Sequence, residues 1–211
     1  MYALIYKDFL LLKKQLLYVL VLAVFYTVIA VSGFLSASIL PGMVVLFATM
    51  LPITSFSYDE QARWGQYAAA TPAGRRGVVA AKYLFSLLLL LLGLLLVSAL
   101  ITLLVGLGLL REPLPTALYA VLCCGSVALG IDAVLLPVLL KHGAEKGRFA
   151  IMAVCIAVVG GGMLLWQLHR GGLRLPQAPA RAAVALLALL AAAAFAVSYG
   201  IARHIYERKE L

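Results

Sequence analysis

The chain has 211 residues, 65% of them hydrophobic and only 12% charged, with a mean hydropathy of +1.09 and a net charge of +9. A soluble domain is roughly 45–50% apolar and about 25% charged, so this composition excludes one and places the chain in a membrane. The continuous Leu, Ala and Val runs do not alternate, which argues for helices and against a barrel. The cations sit at the ends of those runs rather than among aromatics, so a nucleic-acid partner is not expected.

Residues 1–15 read as an amphipathic helix. Ile5, Phe9, Leu12 and Leu16 share one face, and Lys7, Asp8, Lys14 and Gln15 are placed on the other. Such a helix lies in the membrane interface with its cations toward anionic headgroups. The alternative is a helix that simply prolongs the first span, over 16–36. No cleavable leader is expected, because the start lacks a short apolar region followed by a small-residue cleavage site. Pro41-Gly42 punctuates the turn to the second span, 42–56, which is short for a crossing and is expected to continue into the polar stretch after it.

That stretch, 57–78, is the largest concentration of polar chemistry in the chain. Asp59 to Ala70 reads as a helix that stops before Pro72. Asp59 and Arg63 are spaced to pair at i,i+4. Glu60, Trp64, Tyr67 and Thr71 line one face, offering a charge, two aromatic bodies with polar handles and a hydroxyl. Trp and Tyr are frequent anchors of protein interfaces, which makes this face a docking surface. They also anchor helices at membrane surfaces, and that reading stays open beside the first.

The third span covers 83–110 and the fourth 116–140, with Pro137 placed to bend the latter. The short basic loop Lys141 to Arg148 follows. The fifth span, 149–168, contains Gly160, Gly161 and Gly162, either a flexible point or a tight crossing. The sixth, 182–202, repeats small residues at Ala188, Ala192, Ala196 and Gly200. Of the seventeen Lys and Arg, all but Arg111, Arg170, Arg174 and Arg181 fall in the segments assigned to the inside, thirteen against four. Both termini are therefore expected in the cytoplasm. Arg170, Arg174 and Arg181 are read as solvated.

Catalytic signatures are missing. There is no GxxxxGK[ST], HExxH or GxSxG, so the chain is not expected to be an enzyme or to hold a cofactor or metal. Cys123, Cys124 and Cys155 lie in apolar runs without ligand spacing. Asp132 is the one acidic residue deep in a span, about 12 Å from the inner end at the helical rise. Its insertion costs on the order of 2.5–3.5 kcal/mol, so it is expected to be paired or to face a cavity. It is either a polar lining residue of a translocation route or a hydrogen-bonded packing residue.

The opening IYKDFLLLKK, the stretch DEQARWGQYAAATPAGRRGVVAAKYL and the loop LLPVLLKHGAEKGR resemble the small six-span permeases of type-2 ABC transporters, and the likeness runs from end to end. The segment TPAGRRG is richer in small residues than the family's proline-then-hydroxyl pattern. The resemblance implies an all-α integral membrane fold of six spans with an interfacial N-terminal helix. It implies a coupling helix between spans two and three, here Asp59 to Thr71, and hence ATPase-coupling roles for Asp59, Glu60, Arg63, Trp64, Tyr67 and Thr71. It also implies a second permease chain and separate ATPase subunits that bind ATP and Mg, with export of amphipathic or hydrophobic substrates across the cytoplasmic membrane. A stand-alone ion-coupled carrier using Asp132, or a non-transporting anchor or sensor, is the alternative.

Overall fold

A computed structural model of the chain describes residues 2–32, 39–64, 67, 74–110, 113–170 and 180–207. The described residues form six long helices and no strand: α1 (Tyr2–Val31), α2 (Ile39–Gln61), α3 (Gly74–Gly106), α4 (Leu114–His142), α5 (Ala144–Arg170) and α6 (Ala180–Glu207). Five of them, all except α5, have described stretches long and apolar enough to cross a bilayer. The sixth span expected over 149–168 lies on α5, where several side chains, including those of 164–170, fall outside the described set.

The helices alternate in direction, and ion pairs bring the starts of α1 and α3 together with the ends of α2 and α6. One end of the bundle therefore collects the polar chemistry. Helix α4 is the hub, packed against α2, α3, α5 and α6. It begins after Pro113, whose extended backbone sets the entry, and stops at Gly143. The φ of +86° at Gly143 is one that glycine adopts without a Cβ penalty. Pro52 in α2 and Pro137 in α4 are carried inside continuous helices.

The core is thickest at the polar end, where Phe56, Val79, Leu135, Leu136 and Leu139 pack with Ala202 and Tyr206 of α6. At the opposite end Leu40, Met43, Ile101, Leu104 and Val121 make a second apolar cluster. The outward faces remain strongly apolar, for example Leu17, Val21 and Val24 of α1 and Leu186, Leu189 and Leu190 of α6. That much exposed hydrocarbon is what a lipid-facing surface presents.

Three boundaries differ from the sequence expectation. The interfacial helix 1–15 and the first span are a single helix, because nothing between Leu12 and Leu20 breaks one. Asp8 is the second reason. It belongs to the buried stripe with Ile5 and Leu12 rather than to the outward face, so α1 packs on the bundle from its first turns. The second span does continue into the polar stretch, as helix through Gln61, so 57–61 belongs to α2 and no new helix begins at Asp59. Finally, α3 starts at Gly74 rather than near 83, which draws 74–78 out of the coupling segment.

Candidate functional site: an ionic lock at one end of the bundle

The polar end of the bundle is organised by four charges on three helices. Lys82, two turns into α3, is 5% exposed, and its ammonium group uses three donors. It donates to Asp8 Oδ2 of α1 at 3.0 Å and to Ser55 Oγ of α2 at 2.7 Å, and it pairs with Asp59 Oδ2 at 2.5 Å. Asp59 is shared, since Lys7 Nζ reaches its other oxygen and also stands 3.3 Å from Asp8 Oδ1. The Phe56 ring lies 4.9 Å from Lys82 Nζ and closes the cluster on one side. Two cations and two anions give no net charge, which is how so much charge is buried at all.

Lys7 also sits over the Trp64 ring, 4.3 Å from its centroid, and Trp64 packs against the core cluster. The chain reaches Trp64 by a turn. Ala62 N–H bonds Tyr58 O, Arg63 N–H bonds Glu60 O, and Arg63 takes a φ of +48°. A left-handed residue one step past the last turn is a usual way to end a helix, but glycine normally occupies it. Arg63 has therefore left the helix, and the i,i+4 pair with Asp59 does not form. Asp59 is held by Lys7 and Lys82 instead.

Glu60 is also engaged inside the chain. Its Oε1 accepts the N–H of Ala144 at 2.9 Å, capping the start of α5. A Cβ at Gly143 would lie 2.0 Å from that same oxygen. Glycine is thus required there both for its backbone angle and for the room Glu60 occupies. A third tie joins α3 to α6, where Glu207 Oε1 accepts from Arg76 Nε at 2.6 Å and from Arg203 Nε at 3.2 Å.

These bonds revise the docking face read from sequence. Glu60 and Trp64 have intramolecular partners, although Glu60 stays exposed; Tyr67, 66% exposed, and neighbouring Arg63 are also open to the surface. Trp64 and Tyr67 are helical again, and Thr71 lies outside the described residues. The expectations for Arg174 and for the Arg170 and Arg181 side chains also lie outside them.

Further into the bundle a second polar group crosses α3, α4 and α6. Asp132 is wholly buried, and its Oδ2 accepts from Ser86 Oγ. Its Oδ1 has no hydrogen-bond partner among the described residues. Nearby, Tyr83 O–H bonds Ser198 Oγ at 2.7 Å, and Ser198 in turn donates to Ala133 O. A serine hydroxyl carries one hydrogen, so Tyr83 is the donor in the first of these.

Lys82 and Asp8 escaped the sequence reading. By sequence Lys82 reads as a cation flanking the third span, although its position one helical turn before Ser86 places both on one stripe. Asp8 falls between Ile5 and Leu12 at i+3 and i+4 spacing, a signal that the Ile5-Phe9-Leu12 stripe already contained.

Residues 3–207 match a family model described as ABC-2 family transporter protein. No curated protein and no solved structure matches the chain.

Proposed function

The chain belongs to the ABC-2 transporter family and is a multi-pass membrane component of a transporter; from that membership we propose that it is the permease subunit of an ATP-driven exporter in the cytoplasmic membrane. Separate ATPase subunits bind ATP and Mg, and two permease chains, identical or related, form the route for an amphipathic or hydrophobic substrate. Both termini are cytoplasmic, and the segment following α2 receives the ATPase.

One observation carries this reading. The last turn of α2 leads directly to exposed Arg63 and Tyr67, and it is bonded to three other helices. Asp59 is tied to α1 and α3, and Glu60 to the start of α5. A push on the segment after Gln61 is transmitted at once to four helices. Packed interfaces respond to such a push by switching between arrangements rather than by deforming smoothly.

The test separates docking from folding. Tyr67→Ala with Arg63→Ala removes two exposed groups and leaves the ionic lock intact. The expected outcome is loss of ATPase co-purification in mild detergent with an unchanged thermal midpoint of the permease. Unchanged co-purification and unchanged substrate-stimulated ATP hydrolysis would remove this segment from the docking role. Trp64→Ala is a poorer probe, because Trp64 also supports Lys7 and the core.

The unpartnered Oδ1 of buried Asp132 favours a second reading of that residue, as a polar group on the translocation route that gains its partner in the other access state. Asp132→Asn keeps the shape and the Ser86 contact. If Asp132 only packs, transport and stability both survive the change. If it serves the route, transport falls while the thermal midpoint holds.

A further inference from the structure

We propose that the seam between α3 and α6 holds one anionic phospholipid, its acyl chain in an aromatic groove and its phosphate between Arg76 and Arg203. The groove is lined by Ala80, Tyr83 and Leu87 of α3 and by Phe195, Ala196 and Tyr199 of α6. Its floor is ring surface. Tyr83 stands 5.2 Å from Phe195 and 5.3 Å from Tyr199, centroid to centroid. The Tyr83 hydroxyl is turned away to Ser198, so the polar handle of the floor is already used. What is left fits a hydrocarbon chain.

Charge marks one end of the same seam. Arg76, Ala80, Tyr83 and Leu87 recur at i, i+4, i+7 and i+11, and Phe195, Tyr199 and Arg203 at i, i+4 and i+8, so each wall of the groove ends in an arginine. Among the described residues both arginines meet one carboxylate there, Glu207, so two cations face one anion at the mouth. Two guanidinium groups on facing helices suit a phosphate. Arg76 to Leu87 spans about 16 Å of helix. One leaflet of hydrocarbon is about 15 Å deep, so a chain running inward from a phosphate at the arginines is matched in length.

Glu207 makes the proposal sharp, because it competes with the phosphate for the same two donors. The experiment is native mass spectrometry of the full chain released from micelles holding equal phosphatidylglycerol and phosphatidylcholine. A photoreactive acyl chain on the glycerol lipid reports where it sits. The expected result is one retained phosphatidylglycerol, favoured about tenfold, with label on 80–87 and 195–199. Arg76→Gln with Arg203→Gln should bring the preference to about one. Glu207→Gln should raise it, an effect in the opposite direction that a purely structural role for the triad does not give. Ala196→Trp, which fills the open wall of the groove, should lower retention of both lipids. No preference in the parent chain, a preference untouched by the arginine pair, label on other helices, or cross-links showing that a second copy covers the seam would each overturn it.

Discussion

At the scale of single residues, the decisive group is Lys82. Its three donors are spent on Asp8, Ser55 and Asp59, and its side chain is buried among them. Replacing it by methionine keeps most of the volume but leaves two carboxylates with Lys7 as their one remaining cation in the cluster. Removing one partner of a buried pair costs about 3–5 kcal/mol, far more than an exposed pair contributes. Lys82→Met is therefore expected to lower the thermal midpoint in detergent sharply. Adding Asp8→Asn should recover part of the loss, and a double-mutant cycle with no coupling between the two would contradict the geometry. Arg63 runs the other way. It holds a left-handed backbone that costs a side-chain-bearing residue about 1–2 kcal/mol, and glycine avoids that cost. Arg63→Gly is expected to raise the midpoint while weakening ATPase binding. A gain in both would mean that Arg63 has no docking role.

At the scale of elements, the join between α4 and α5 shows how a short loop is made into a joint. Gly143 ends α4 with its N–H on Leu139 O, Ala144 opens α5, and Glu60 from α2 caps that opening. Glu60→Ala removes the cap and should cost about 1 kcal/mol. Gly143→Ala should cost more, since the new methyl meets Glu60 as well as an unfavourable φ. Combining the two should cost less than the sum, because the clash disappears with Glu60. Strict additivity in thermal unfolding would argue against the contact. Much at this scale could be read from the chain itself. The six apolar runs fall on the six described helices, and Pro52, Pro137 and Gly160 to Gly162 are carried within them without ending them. The ends were harder to place. A charged run such as Ser57 to Gln61 has no local reason to prefer helix over loop, and partners distant in sequence settle the matter.

At the scale of the whole molecule, the described ion pairs gather at one end of the bundle, and an apolar cluster packs the opposite end. The ends of α2 and α6 and the starts of α1 and α3 lie on one side. Single cysteines at Tyr67 and Glu207 should accordingly label from the same side of a sealed vesicle, and from the thirteen-to-four charge bias that side is expected to be the cytoplasmic one. Labelling from opposite sides would break the topology. In vesicles carrying the permease with its ATPase, transport is expected to stop on ATP depletion and to survive collapse of the ion gradient. The reverse would return Asp132 to the centre as a carrier residue.

Composition and run length were enough by themselves to settle that the protein is helical and lies in a membrane, because the hydrophobic demand of each segment is local and reads off any window. They also located the polar stretch after the second span. Only the tertiary structure decided what that stretch does inside the chain: which acids are already spoken for, which side chains stay free, and why α1 cannot lie apart from the bundle. The reason is physical. An ion pair between Asp8 and Lys82 links positions 74 residues apart, and no local pattern carries the information that two such charges will share one buried site.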